Sequence, residues 1–258
     1  MITSDAQFTL RLARDAEDLH AAQRLRYEVF VRELGGDGPM VDHAAGIEQD
    51  AFDPYYDHLI LIDEDRKTDR VVGVYRLLTD ERARTLGRYY SESEYDLAPL
   101  VQSGRRLLEL GRSCVHRDYR GGTAMYHLWN GLADYVHQRG IEVLFGVASF
   151  HGTDIEALKL PLSYLYHHHL APEPLRVRAR GDHRLEMDLL PPDQIDRRAA
   201  MVATPALIKA YLRVGGCVGD GAYIDREFNT TDVCLVMDTA AMSARHRDFY
   251  TRKAGAPG

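Results

Sequence analysis

The chain has 258 residues, 45% hydrophobic and 28% charged, with a formal net charge of −7. This suits one large globular domain or a domain with an appended unit, and excludes a chain disordered throughout. The acidic balance argues against a nucleic-acid binder relying on bulk positive charge, and no run of 18 apolar residues is present to span a membrane.

The N-terminal MITSDAQFTLRLARDAED lacks the basic and apolar segments of a signal peptide. Three scattered cysteines, Cys114, Cys217 and Cys234, form no C-x-x-C pair, so a reducing cytoplasm is expected. Phe8–Ala13 alternates apolar and polar residues, which predicts an edge strand. Asp15 suits an N-cap, with Asp18 completing an imperfect capping box. The helix behind it is expected to reach about Leu34, with Leu19, Ala22, Leu25 and Val29 on one face and Gly35-Gly36 as its stop. Residues 35–57, rich in Gly, Asp and Pro, read as a long functional loop. His58–Asp63 and Val71–Leu78 predict a hairpin, and residues 80–104 read as irregular.

Leu107–Val115 (LLELGRSCV) reads as a strand, followed by the turn HRDYRGG and a helix from about Thr123 to Arg139, stopped by Gly140. Val143–Ser149 predicts a buried strand, and Asp154 caps a further helix. The last third suggests a strand at Leu185–Leu189, a break at Pro191-Pro192, a helix around Pro205–Val214, a strand at Val233–Asp238 and a terminal helix. Three strands before the central helix imply an antiparallel meander; the strand–helix–strand unit after it demands a parallel pair. The expected class is α/β (α+β): a mixed, mostly antiparallel sheet with helices on both faces. Residues 1–190 are taken as the core, with 191–258 as an extension packed on the same domain.

This element order resembles the GNAT N-acyltransferase fold, with its splayed central strands. Within it the chain resembles the bacterial ornithine N-alpha-acyltransferases of ornithine-lipid synthesis. The resemblance rests on RLRYEVFVRELGG (24–36), EQDAFDPYYDHLIL (48–61), VVGVYRLL (71–78), LLELGRSCVHRDYRGG (107–122), FGVASFHGTD (145–154) and PALIKAYLRVGGCVGDGAYIDREFNTTD (205–232). The N-terminal half is also similar to acyl-homoserine lactone synthases, which share Arg26 and Phe30, the acidic Glu48, Asp50 and Asp53, Arg76, and the pair Glu109 and Arg112. Their tryptophan after the first helix is replaced here by Gly36. The resemblance implies an amide-forming acyltransferase that takes a 3-hydroxyacyl group from acyl carrier protein and gives it to ornithine. It implies no permanently bound cofactor; the acyl-phosphopantetheine of the carrier is the donor substrate. A lactone-synthase-like N-acyl amino acid synthase and a non-catalytic acyl-thioester sensor are the alternatives.

Aminolysis of a thioester needs a neutral amine, while a thiol of pKa about 8.5 leaves readily, so a general base is the main requirement. Glu109, mid-strand among leucines, is the candidate base and Arg112 its catalytic companion; the competing reading is a structural ion pair between them. Three positions apart, they face opposite sides of a regular strand unless a bulge near Gly111 intervenes. From Arg120 the chain reads R-G-G-T-A-M, a degraded form of the pyrophosphate-gripping turn of coenzyme A-dependent relatives. A single phosphate of phosphopantetheine needs fewer amides, so Arg120, Gly121, Gly122 and Thr123, with Ser113, Val115 and Ser149 along the arm, are the candidate donor site. Arg105, Arg106, Arg117 and Arg120, or the run Arg176, Arg178, Arg180 and Arg184, offer charge for an acidic carrier; the second run reads better as solvated surface. Arg26 or Arg76 suits the acceptor carboxylate, with Phe30 beside them. Glu48, Asp50 and Asp53 suit its ammonium, or instead pair with Arg26, Arg76 and Arg112 to order the loop.

Four signals are discounted. His167, His168 and His169 point in different directions, so no metal site is expected. His116 and His151 read as structural loop histidines, and Cys114 as a small buried hydrophobe. The basic segment Ala244–Ala254 could touch anionic lipid at the inner membrane, and reads more simply as a solvated tail.

Overall fold

The computed structural model describes residues 7–241. In chain order the elements are β1 (Phe8–Leu12), α1 (Ala16–Arg26), β2 (Val41–Asp42), β3 (Ile47–Glu48), β4 (Asp57–Asp63), β5 (Val71–Thr79), α2 (Asp80–Leu86), β6 (Tyr95–Asp96), α3 (Ala98–Val101) and β7 (Leu107–Val115). They continue with α4 (Ala124–Arg139), β8 (Val143–His151), α5 (Ile155–His169), β9 (Arg178–Ala179), β10 (Arg184–Leu185), α6 (Arg197–Ala203), α7 (Ala206–Arg213), β11 (Cys217–Val218), β12 (Ala222–Asp225) and β13 (Thr230–Asp238). They divide into two compact units. Among the described residues, one holds 7–86 together with Leu110–Arg139; the other holds Gly87–Glu109 together with 140–241.

In the first unit the strand order is β1-β4-β5-β7, with β1 at the edge as its alternation predicts. The β1–β4 and β4–β5 ladders are antiparallel. Register pairs Ile60 with Val74 and Leu61 with Gly73, so successive residues feed opposite faces. One face carries α1: Ala22, Leu25 and Val29 cluster with Ile60, Ile62, Val71, Val74 and Cys114. Each fully buried aliphatic side chain there contributes about 1.5–3 kcal/mol. The other face carries α4, and it comes so close that a Cβ on Gly73 would sit 2.9 Å from Leu128 Cδ1 and 3.2 Å from Leu61 Cβ.

The N-cap expected at Asp15 is present, its side chain accepting from the Asp18 N–H at 2.9 Å. The helix does run to Leu34, but its last two turns, Tyr27–Glu33, are π-helical. Single π turns often mark functional positions, and 3.6-residue periodicity gives no hint of them.

In the second unit β8 pairs antiparallel with β13 over nine residues, from Thr230–His151 to Asp238–Val143. The order continues to β12 and β10, with β11 also on β13. The parallel pair demanded by the strand–helix–strand pattern is β7–β8, whose ladder runs from Leu107–Val143 to Glu109–Phe145. The mixed, mostly antiparallel sheet with helices is the expected class.

Three details correct the sequence reading. Residues 35–57 contain the β2–β3 hairpin and a 3-10 turn at Asp53–Tyr55. Residues 80–104 are ordered into α2, a 3-10 turn at Tyr90–Ser93, β6 and α3. The strand expected at Leu185–Leu189 keeps only Leu185, because β12 offers a partner to Arg184 and Leu185 alone. The expected terminal helix and the segment Ala244–Ala254 lie outside the described residues. No helix among the described residues is long and apolar enough to cross a membrane.

Candidate active site

The expected acceptor residues meet on the α1 face of the first unit. Arg26 ends α1, Arg76 lies on β5 opposite His58, and Arg112 lies on β7. Glu48 comes from β3, and Asp50 and Asp53 from the loop after it. Arg26 donates from Nε to Glu48 and from Nη1 to Asp53 Oδ1 at 2.6 Å. Arg76 Nη1 donates to Asp50 Oδ2 at 2.7 Å and to Asp53 Oδ1 at 2.9 Å. Arg112 Nε donates to Glu48 Oε1 at 3.0 Å, and its Nη2 lies 3.7 Å from Asp50 Oδ2. Gln23 Nε2 donates to Asp53 Oδ2 at 3.0 Å, and the Arg76 guanidinium stacks 4.3 Å from the Tyr56 ring centre. Of the two sequence readings, the structure displays the internal network: three cations against three carboxylates.

Arg26, Glu48 and Arg76 are fully buried, and Asp53 is 3% exposed. Burial pushes the Asp53 carboxyl up, but Arg26 and Arg76 outweigh it and hold the group well below its ordinary range. Burial likewise opposes, and Arg112 and Arg26 overcome, the shift at Glu48, which also lies below its usual value. Burial is the main cause that lowers the pKa of His58, which lies beneath the network, and its Nε2 meets the Asp53 carbonyl at 3.0 Å. Phe30 sits half-buried against the α1 cluster.

Arg112 adopts φ +48°, the left-handed region rare for a residue with a Cβ. This is an irregular backbone conformation one position after Gly111, near which the sequence left room for a bulge. Ser113 Oγ is buried without a hydrogen-bond partner among the described residues.

In the candidate donor turn, Gly121, Gly122 and Thr123 are exposed immediately before α4. Gly121 has φ +78°, and a Cβ there would touch nothing, so glycine serves the backbone conformation and leaves the turn open. Arg120 is already engaged: its Nε donates to the Val115 carbonyl at 2.9 Å, and its two Nη atoms grip the Glu33 carboxylate. Val115 itself is buried.

In the second unit, Glu109 is 1% exposed and its carboxylate is held from one turn. Oε2 accepts from the Tyr90 N–H at 2.9 Å; Oε1 accepts from the Ser91 N–H at 2.7 Å and the Ser91 hydroxyl at 2.6 Å. Ser91 lies in a segment read as irregular, and no spacing signal ties it to Glu109. Ser149 is exposed on β8, opposite Asp232 of β13.

Of the basic residues, Arg105 is bidentate to Asp238, and Arg176 and Arg178 pair with Glu173. Arg117 is exposed. His167 lies 2.9 Å from Asp188, and His169 contacts Tyr164. Among the described residues no group of three or more His, Cys, Asp or Glu is placed to hold a metal ion. Cys114 is buried as expected, and burial pushes its thiol up to about 12.

Residues 25–130 match the family profile described as an acetyltransferase (GNAT) domain. A curated relative from Rhodobacter capsulatus, L-ornithine N(alpha)-acyltransferase, is 61% identical over 261 residues, covering 100% of both chains. One of the same name from Rhizobium meliloti is 39% identical, covering 97% of this chain and 86% of the relative. Among solved structures, an N-acyl amino acid synthase from uncultured soil microbes aligns with a TM-score of 0.53 at 10% identity, covering 92% of this chain and 93% of that one. A CoA-dependent acyl-homoserine lactone synthase also aligns with a TM-score of 0.53, at 15% identity, covering 98% and 92%. Those two likenesses carry the fold. The full-length identity to the first relative carries more: the chain is an acyltransferase and belongs to the L-ornithine N(alpha)-acyltransferase family.

Proposed function

We propose that this chain transfers a 3-hydroxy fatty acyl group from the phosphopantetheine thioester of acyl carrier protein to the alpha-amine of L-ornithine, giving lyso-ornithine lipid and the free carrier thiol. The observation that carries this reading is the 61% identity, across the whole length, to a relative named for that acceptor.

The chemistry follows from the thioester. Glu109 takes the proton from the ornithine amine, whose nitrogen attacks the thioester carbonyl. The tetrahedral intermediate collapses to an amide, and the thiol, of pKa about 8.5, departs with little help from an acid. The Tyr90 and Ser91 donors fix the Glu109 carboxylate, which favours a preorganised base. The open turn at Gly121, Gly122 and Thr123 suits a single phosphate at the start of α4, and its degraded form favours a carrier-borne donor over coenzyme A. Ser113 and Val115 on β7 are offered to the pantetheine arm, and Arg117, exposed, is the residue offered to an acidic carrier.

The network of Arg26, Arg76 and Arg112 with Glu48, Asp50 and Asp53 is read as the device that orders residues 35–57. Its internal pairing favours that role over direct contact with both ends of ornithine. The reaction is placed in the cytoplasm, with peripheral contact at the inner membrane where the amphiphilic product would collect.

The test mixes purified chain, 3-hydroxyacyl carrier protein and L-ornithine and follows thiol release. Release dependent on both substrates is expected. Release that is indifferent to ornithine, or absent, overturns the reading.

A further inference from the structure

We propose that Ser91 is a positioning residue that fixes the orientation of the Glu109 carboxylate for proton abstraction. This rests on the reading of Glu109 as the base.

Three observations converge on it. The first is geometry. Ser91 and Glu109 are each 1% exposed, and the Ser91 hydroxyl and backbone N–H both donate to Oε1, at 2.6 and 2.7 Å. Hydrogen bonds to a carboxylate are short and roughly twice as strong as neutral ones. With the Tyr90 N–H on Oε2 at 2.9 Å, both oxygens are pinned and the carboxylate cannot rotate about its last bond.

The second is the source of the donors. Tyr90 and Ser91 open the 3-10 turn Tyr90–Ser93, where the first N–H groups of any helical turn have no internal partner. A carboxylate is their natural acceptor, and the hydroxyl adds a donor that alanine or glycine would lack.

The third is the anchoring of the turn itself. The Tyr89 ring stands edge-on to Phe145 at 5.1 Å between ring centres, and Phe145 is the residue opposite Glu109 in the β7–β8 ladder. Ser93 Oγ also donates back to the Tyr90 carbonyl at 2.8 Å. The donors are therefore held in register with the strand position that carries Glu109. Other titratable groups share this surrounding: Glu92 on the turn and Cys234 on β13 both feel the Glu109 charge, and Tyr95 and Glu94 lie close to Cys234.

The experiment compares Ser91→Ala, Ser91→Thr and Glu109→Gln with the unaltered full-length chain. It uses 3-hydroxyacyl carrier protein and L-ornithine, with thiol release followed across a series of ornithine concentrations. The expected result for Ser91→Ala is a kcat lower by about 10- to 100-fold, with KM for ornithine little changed. Ser91→Thr, which keeps the hydroxyl, recovers most of the loss. If Ser91→Ala does not fold by circular dichroism, Ser91→Cys, a weak donor, replaces it with the same expected direction. A Ser91→Ala chain matching the unaltered one in kcat and KM, while Glu109→Gln is inactive, overturns the role of Ser91 and leaves the base standing. Full turnover by Glu109→Gln overturns the base, and the role of Ser91 with it.

Discussion

Asp53→Asn is the substitution that most directly probes the buried network. Asp53 Oδ1 accepts from Arg26 at 2.6 Å and Arg76 at 2.9 Å, and Oδ2 accepts from Gln23 at 3.0 Å. Both arginines are fully buried. The asparagine nearly preserves shape but leaves three cations against two carboxylates, and its amide N–H₂ faces existing donors. Breaking a buried ion pair by removing one partner costs about 3–5 kcal/mol. Glu48 still holds Arg26 and Asp50 still holds Arg76, so a loss near the lower end, about 3 kcal/mol, is expected. That is a large share of the roughly 5–15 kcal/mol typical of a folded domain. Urea unfolding, with the midpoint and slope fitted together, measures it. A double-mutant cycle with Arg76→Gln should show the two losses to be less than additive. Control substitution of Arg32, whose pair with Glu28 is exposed, should cost under about 0.5 kcal/mol. An Asp53→Asn chain within about 0.5 kcal/mol of the unaltered one would mean that the network does not hold the loop.

Acid should weaken the fold through the same residues. The Glu48 and Asp53 carboxyls lie below their ordinary values of 4.5 and 3.8, so their stabilisation is complete above those values. It is lost as pH falls below them toward the depressed folded values. Urea midpoints that stay flat through that descent would contradict this. Gly73→Ala should cost about 1–3 kcal/mol, since the new Cβ meets Leu128 and Leu61, whereas Gly121→Ala, in open space, should cost only the left-handed strain of about 1–2 kcal/mol and leave the core unchanged. Thermal unfolding with near-ultraviolet circular dichroism distinguishes the two: core ellipticity should change only for Gly73→Ala. Tyr95→Phe should lose about 1–3 kcal/mol in the same assay, because the fully buried hydroxyl lies 3.0 Å from the Gly221 carbonyl and 2.9 Å from that of Asp232.

The strands β4 and β8 were legible as nearly continuous apolar runs, and β5 and β7 as apolar runs interrupted by Arg76 and by Glu109, Gly111, Arg112 and Ser113. Helix α4 was legible from the Gly-rich turn before it and Gly140 after it. The short elements between residues 80 and 104 were not, since α2 is mostly charged and the rest are a 3-10 turn, a two-residue strand and one helical turn, too short for any periodicity to show. The π-helical end of α1 left no trace because apolar spacing cannot separate it from an α-helix over two turns. The partnership of Arg26, Arg76 and Arg112 with Glu48, Asp50 and Asp53 was legible as one of two alternatives. Ser91 was not: its link to Glu109 spans 18 residues and depends on where a 3-10 turn begins.

The most direct measurement is tandem mass spectrometry of the product made by purified chain from 3-hydroxyacyl carrier protein and L-ornithine isotopically labelled at the alpha-nitrogen. An amide on the labelled nitrogen, formed by the unaltered chain and lost in Glu109→Gln, is the expected result. An acyl group on the side-chain nitrogen, or carrier thioester consumed with no acylated amino acid, would contradict it.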